Sequence, residues 1–123
     1  MKPLTKAEEQ LMQILWKLGK GFLKDIIEAF PEPKPHSNTA ATILKILVDK
    51  GFVEYEVMGR NNQYRPRVTK AEYGKKTMHQ LLKGYFDGSP AKLVSQFVSD
   101  NRLSIQELEE LLQQIKSSKN YQP

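Results

Sequence analysis

Two stretches of this 123-residue sequence carry hydrogen-bonding or basic side chains and contain no acidic residue. The first runs from residue 33 to 48, and the second runs from residue 57 to 71. On a surface that binds a polyanion, each cation that no acid neutralises can displace a counterion from the phosphate chain. The pattern predicts a nucleic-acid contact, and on charge alone an ordinary solvated basic face would explain it equally well.

The candidate contact residues of these stretches form two groups with different chemistry. The first group is small and mostly uncharged: an Asn side chain can pair with adenine, and a Thr offers a hydroxyl to a base edge and a methyl to thymine. The second group consists of arginines, which suit phosphate or minor-groove contacts. The predicted DNA-binding residues are Ser37, Asn38, Thr39, Thr42, Lys45, Arg60, Arg65 and Arg67. Helix capping and a solvated helix face are the alternative explanation for the first group.

Three helices are predicted to position the first group. The first helix begins at a capping box, in which Thr5 is the N-cap and Glu8 follows three residues later. A shorter second helix covers about residues 23–30 and is followed by a proline-rich loop, because proline cannot continue a helix. The third helix is predicted to start at Ser37 or Asn38, which are both good N-caps. This order places the first group at the start of the third helix.

A β-hairpin is predicted to position the arginines. Residues 52–58 alternate acids with aromatic and β-branched side chains, which is typical of a strand. Turn-forming residues occupy positions 59–62, and a short return strand at 63–65 ends at Pro66. Two helices joined by a turn and followed by a two-stranded ribbon are the plan of a winged helix-turn-helix. We therefore predict a mainly α-helical fold with a small β-hairpin wing, whose DNA-binding domain covers residues 1–69.

The rest of the chain, residues 70–123, is predicted to be a helical dimerisation region with a frayed tail at 117–123. Three short amphipathic helices occur here, and isolated helices of this length are marginal in water. Pairing with a second copy is the simplest way to cover their apolar faces, and folding back on the N-terminal domain is the alternative. The predicted dimerisation residues are Leu81, Leu82, Tyr85, Phe86, Leu93, Val94, Phe97, Val98, Leu108, Leu111, Leu112 and Ile115.

The composition argues against several other classes of protein. The sequence has no cysteine, which excludes disulfides, thiolate metal sites and thiol catalysis and fits a reducing cytoplasm. Its two histidines, His36 and His79, show neither a metal-binding spacing nor a neighbouring nucleophile. No apolar run approaches the roughly 18 residues that span a bilayer. We predict a cytoplasmic protein that is not an enzyme, holds no cofactor or metal and does not insert into a membrane.

Over nearly its whole length the sequence resembles the penicillinase and methicillin-resistance repressor family (BlaI/MecI type). The resemblance is carried by LTKAEEQLMQILWKLGKG at the start, TAATILKILVDKGFVEYE in the third helix and strand, GRNNQYRPRV in the hairpin, and YFDGSPAKLVSQFV and LSIQELEELLQQI near the end. It implies a homodimeric transcriptional repressor that binds palindromic operators of β-lactam-resistance or related operons. It also implies DNA-contact roles for Thr39, Thr42 and Arg60.

The resemblance further implies a route of induction. In this family a membrane sensor triggers proteolysis at an Asn-Phe bond in the dimerisation region, and the matching pair here, Gln96 and Phe97, is the predicted induction site. Ala41 and Ile46 stand where the family often carries basic residues. This thin basic complement of the third helix favours a second hypothesis, in which the winged helix binds a protein partner without sequence-specific DNA binding.

Overall fold

A computed structural model of the chain describes residues 2–118, and its helices and strands alternate as the sequence predicts for a winged helix. The elements are α1 (Lys6–Leu18), β1 (Gly21–Phe22), α2 (Leu23–Ala29), α3 (Ser37–Asp49), β2 (Val53–Met58), β3 (Asn61–Pro66), α4 (Lys70–Tyr85), α5 (Pro90–Ser99) and α6 (Ile105–Ser117). The predicted fold class, mainly α-helical with a small β wing, is confirmed. Part of the predicted frayed tail, residues 119–123, lies outside the described residues.

The chain divides into two compact units, Met1–Lys75 and Lys76–Pro123. In the first unit, α1, α2, α3 and β2 enclose one apolar core, because each helix carries a stripe of apolar residues at helical spacing. The buried members of this core are Leu11, Met12, Leu15, Ile26, Phe30, Leu44, Leu47, Phe52 and Val53. Since Leu44 and Leu47 fix the inward face of α3, the opposite face of that helix is exposed.

The β-sheet has three antiparallel strands in the order β1-β3-β2, so the prediction of a two-stranded ribbon was incomplete. In β1, Gly21 pairs with Tyr64 and Phe22 pairs with Gln63. A strand of two residues is too short to leave an alternating pattern in the sequence.

The turn of the hairpin is shorter than the four residues predicted for it. Only Gly59 and Arg60 form the turn, and Asn61 and Asn62 already belong to β3. Two-residue loops match the right-handed twist of paired strands and need positive φ, which Gly59 adopts at 66°. The short turn therefore leaves Arg60 at the tip of the wing, which we define as β2, β3 and the turn between them.

Local capping explains where most of the helices begin. Thr5 and Glu8 form the predicted capping box, with the Glu8 backbone N–H donating to Thr5 Oγ1 at 3.2 Å. The predicted cap of α3 was wrong, since its N-cap is His36 and no side chain makes a capping hydrogen bond there. Ser37 is instead the first helical residue, because the extended backbone of the proline-rich loop ends at His36.

A buried ion pair joins the start of α1 to the residue that follows α3. The carboxylate of Glu8 accepts a hydrogen bond from Nζ of Lys50, which also donates to the carbonyl of Pro3. Burial raises the pKa of Glu8, but the hydrogen bonds from Lys50 and from the Thr5 backbone outweigh it and hold the pKa below its ordinary value. The charged form of Glu8 therefore stabilises the fold.

Replacing Glu8 with Gln is expected to lower the free energy of unfolding near neutral pH by about 1–3 kcal/mol, because Lys50 loses its charged partner. A folded-state pKa below the unfolded-state value gives stability that is present above the unfolded pKa and is lost as pH falls through the folded pKa. Urea unfolding should therefore show the stabilities of the two proteins converging as the pH falls through the folded-state pKa of Glu8. The control is Glu9→Gln, at the exposed neighbouring residue, which should have little effect on stability. A difference in free energy of unfolding between wild type and Glu8→Gln that does not change with pH would contradict the role given to Glu8.

The first six residues of α4 belong to the first unit because Tyr73 packs there. Its ring meets that of Phe52 edge-on with centroids 5.5 Å apart and lies 6.0 Å from the ring of Trp16. The indole N–H of Trp16 in turn donates to the carbonyl of Val68 at 2.8 Å. These contacts fix the chain where it leaves the wing.

No helix within residues 2–118 is long and apolar enough to span a lipid bilayer.

Candidate functional site

The exposed face of α3 brings together four of the five DNA-binding residues predicted on this helix, whereas Ser37 lies in the first turn on the side of the buried Ala40 and Leu44. Ser37, Asn38, Thr39, Thr42 and Lys45 are all exposed. Residues three or four positions apart lie on one side of a helix, so Asn38, Thr42 and Lys45 share a face with Thr39. We call this surface the α3 strip. Its side chains lie on the side of α3 away from the core and are accessible to a ligand.

The hydroxyl of Thr42 is already engaged within the helix. Its Oγ1 donates to the carbonyl of Asn38 at 2.9 Å, so its hydrogen is not available to a base. The oxygen can still accept a hydrogen bond, and the methyl group remains on the surface. Thr42 can therefore contact a base as an acceptor and as an apolar group, but not as a donor.

The charge of the α3 strip comes from Lys45. Within the described residues 2–118, Lys45 makes no ion pair. The first acid along the helix is Asp49, its last residue, one turn beyond Lys45. The N-terminal half of α3 is thus uncharged apart from the partial positive charge of its free backbone N–H groups, which favours an anion.

The three arginines predicted to bind DNA, two in the wing and Arg67 directly after it, have different surroundings. Arg60 and Arg67 are exposed and form no ion pair among the residues that the structure describes. Arg67 is held by its backbone N–H, which donates to the carbonyl of Phe52 at 2.7 Å. Their positive charges are therefore not neutralised by an ion pair within residues 2–118.

Arg65, by contrast, is engaged by acids of the neighbouring strand. Its Nε lies 2.9 Å from Oε1 of Glu54, and an Nη atom lies 3.6 Å from Oε2 of Glu56. The hydrogen bond with Glu54 and the nearby charges raise the pKa of Arg65 above its ordinary value. Both acids lie outside the acid-free stretch in sequence, but strand pairing sets Glu54 directly opposite Arg65. Of the three arginines, Arg65 is thus the least suited to bind phosphate.

Sequence reasoning missed one exposed residue of the α3 surface. Ile46 is 38% exposed, although a large aliphatic residue in an amphipathic helix is normally assigned to the core. Its position four residues after Thr42 was the available signal, because that spacing places it on the exposed side. The surface of α3 is therefore partly apolar.

The second unit exposes much of its apolar surface in a single copy. Of the predicted dimerisation residues, Leu81, Tyr85, Phe97, Leu111, Leu112 and Ile115 are exposed; Phe86, Leu93, Val94, Val98 and Leu108 are half-buried; and Leu82 is buried. Tyr85 is the extreme case at 81% exposure. Leu82 packs within its own copy and therefore offers a partner little surface.

The predicted induction site lies within an intact helix. Gln96 and Phe97 are exposed residues of α5, and Nε2 of Gln96 donates to Oδ1 of Asp100 at 3.1 Å. The carbonyl of Gln96 also accepts the backbone N–H of Asp100 at 2.9 Å. A protease would have to unwind this turn before it reached the bond.

Comparison with known proteins decides the family. The family model described as penicillinase repressor matches residues 4–117. The chain belongs to the penicillinase repressor family. It is 26% identical to the penicillinase repressor of Bacillus licheniformis over 118 residues, which cover 95% of this chain and 92% of that protein. It is 29% identical to the methicillin resistance regulatory protein MecI of Staphylococcus aureus (strain N315) over 109 residues, which cover 88% of this chain and 89% of MecI.

A solved CopR repressor structure is also similar, with 32% sequence identity and a TM-score of 0.46, and the match covers 53% of this chain and 96% of that one. The family membership confirms the resemblance drawn from the sequence motifs. The penicillinase repressor family consists of transcriptional repressors rather than enzymes. Among residues 2–118, no three His, Cys, Asp or Glu side chains are grouped closely enough to hold a metal ion.

Proposed function

We propose that this chain is a cytoplasmic, homodimeric and sequence-specific repressor that binds palindromic operators of β-lactam-resistance or related operons. The observation that supports it best is the α3 strip, which is exposed and contains no acid until Asp49. A recognition helix in a winged helix enters the major groove with its N-terminal residues against the bases. In α3 these residues are Ser37, Asn38, Thr39 and Thr42.

In this proposal the wing binds the DNA backbone. Arg60 at the turn and Arg67 after β3 would neutralise phosphates, because neither charge is compensated within the described residues. Arg65 would instead hold β3 against β2 through Glu54 and Glu56. We therefore revise the predicted site by assigning Arg65 a positioning role.

The helical second unit would join two copies. Its exposed apolar residues need a cover, and a two-fold pair presents the same surface from both copies. Two α3 helices related by such an axis would meet two half-sites about 34–36 Å apart, one turn of DNA. The two-fold symmetry of the dimer would then be matched by a palindromic operator.

Release from the operator would follow proteolysis by a membrane sensor and protease system. The proposed cut lies between Gln96 and Phe97 in α5. Cutting there would separate α6 from the rest of the chain and so remove part of the proposed dimer surface.

Gel shifts at a series of salt concentrations test the proposed function. They compare DNA from the promoter of the gene that encodes this chain with scrambled DNA of the same composition. We expect tight binding to the promoter DNA and weak binding to the scrambled DNA. For the promoter, log Kd should rise linearly with the logarithm of the salt concentration. Arg60→Ala is expected to weaken binding at all sequences alike and to reduce this slope by about 0.9, the value of one phosphate contact. Lys17→Ala removes the same charge from α1 and should leave the slope unchanged. Equal affinity for promoter and scrambled DNA would refute sequence-specific repression.

The second candidate function is a winged helix that binds a protein. It is favoured by the apolar residues of β2, since Tyr55, Val57 and Met58 are 47%, 67% and 44% exposed. This function predicts no DNA binding at low salt and stable capture of a protein partner. It also predicts that Val57→Asp abolishes capture of the protein partner. The repressor function predicts instead that Arg60→Ala weakens DNA binding in the gel shift.

A further inference from the structure

The exposed side of α3 has two edges of different chemistry. Thr39, Thr42 and Ile46 follow one another at spacings of three and four residues, so their side chains form a continuous row. Asn38 and Lys45 lie along the other side of Thr42 at the same spacings. We call the row of Thr39, Thr42 and Ile46 the methyl edge, because each of its side chains ends in at least one methyl group and none is charged.

Two of the three residues of the methyl edge offer no hydrogen-bond donor. The hydroxyl hydrogen of Thr42 is directed at the carbonyl of Asn38, and Ile46 has no polar atom. Ile46 is nevertheless 38% exposed on a helix whose inward face is filled by Leu44 and Leu47. When a partner covers apolar surface of this kind with another apolar group, the free energy of the complex falls.

Among the four bases, thymine alone places a methyl group in the major groove, at C5. A helix that presents a row of methyl groups to that groove will thus favour thymine through apolar contact. We infer that the methyl edge of α3 recognises thymine 5-methyl groups, and that Ile46 is a specificity-determining residue of this chain. The inference rests on the proposed function and adds to it the chemical class of base that α3 selects.

The two sides of α3 then divide the work of recognition. Asn38 supplies hydrogen bonds to a base edge, Lys45 supplies charge that holds the helix in the groove, and the methyl edge discriminates thymine from the other bases. Since a thymine and a uracil have the same hydrogen-bonding groups, only the methyl contact distinguishes them. Replacing thymine by deoxyuridine in the operator isolates that contact.

The experiment begins with selection of bound duplexes from a randomised DNA library by the full chain. Each thymine of the selected half-site is then replaced singly by deoxyuridine, and the affinity is measured. We expect about a fourfold loss of affinity for each methyl group that is buried, at one or more positions of the half-site. Ile46→Ala should abolish the thymine preference at one of these positions, and Gln13→Ala on α1 should preserve it.

Thr42 offers a matched pair of variants that separates its methyl group from its hydroxyl. Thr42→Val keeps the methyl group and should retain the preference for thymine over deoxyuridine at the position that Thr42 contacts. Thr42→Ser keeps the hydroxyl and should lose that preference. Thermal unfolding of each variant checks that the fold is retained. We expect it to be retained because both Thr42 and Ile46 lie at the surface.

Two results would overturn the inference while leaving the proposed function intact. One is a selected operator in which deoxyuridine is bound as tightly as thymine at every position. The other is a thymine preference that survives both Ile46→Ala and Thr42→Ser. Failure to select any sequence is a separate outcome, which overturns the proposed function and the inference together.

Discussion

Leu112→Glu is expected to convert the chain from a dimer to a monomer and to weaken operator binding by about 10²–10⁴-fold, the gain that joining two binding modules supplies. Leu112 is 48% exposed on α6, so one copy tolerates a charge there. An interface does not, because an unpaired carboxylate buried between two copies carries a large desolvation penalty. Sedimentation velocity measures the oligomeric state, and a gel shift measures the affinity.

Gln113→Glu is the control for this prediction. It adds the same charge at the next residue, which lies about 100° further round α6, in a row with the polar residues Gln106 and Glu110. We expect it to remain a dimer with nearly wild-type affinity. A Leu112→Glu protein that sediments as a dimer and binds the operator as tightly as wild type would refute the proposed interface on α6.

Phe52→Ala is expected to lower the free energy of unfolding by about 3–5 kcal/mol, the loss that accompanies a large cavity in a packed core. Phe52 has no exposed surface and its ring packs edge-on against Tyr73. Its backbone N–H donates to the carbonyl of Leu47, and its carbonyl accepts from the backbone of Arg67. These backbone hydrogen bonds survive the substitution, but the lost ring belongs to the core that contains Leu47 of α3 and Val53 of β2, so its loss should loosen the two elements that would meet DNA.

Urea denaturation followed by the fluorescence of Trp16 measures this loss. Trp16 is the only tryptophan of the chain and packs 6.0 Å from Tyr73, so its emission reports on the same core. Val57→Ala provides a control in β2, since Val57 is 67% exposed and its truncation should change stability by less than about 0.5 kcal/mol. Equal stability of Phe52→Ala and Val57→Ala would contradict the role given to Phe52.

Much of the first unit follows from local signals in the sequence. Thr5 and Glu8 mark the start of α1 because a capping box satisfies backbone groups within four residues. The spacing of Leu44 and Leu47 predicts the buried face of α3, and hence the exposure of Thr39, Thr42 and Lys45 on the opposite side. These features depend on neighbours in the chain, so a single sequence is sufficient to predict them.

The features that sequence reasoning missed depend on contacts between distant residues. β1 exists because Gly21 and Phe22 find partners in β3, more than forty residues later. Arg65 is neutralised by Glu54 because the register of the hairpin sets them opposite each other, and a one-residue shift would separate them. The engagement of the Thr42 hydroxyl depends on a rotamer, which a residue pattern does not specify.

The most direct test of the central claim maps the position of α3 on DNA. Because the chain contains no cysteine, Ala41→Cys places a single thiol beside the α3 strip, and an iron chelate attached to it cleaves nearby DNA. We expect cleavage within each half-site of the operator, at two clusters about one helical turn apart, and none from Gln13→Cys on α1. Cleavage that is absent from Ala41→Cys, or spread evenly along the duplex while the operator is bound, would contradict the placement of α3 in the major groove.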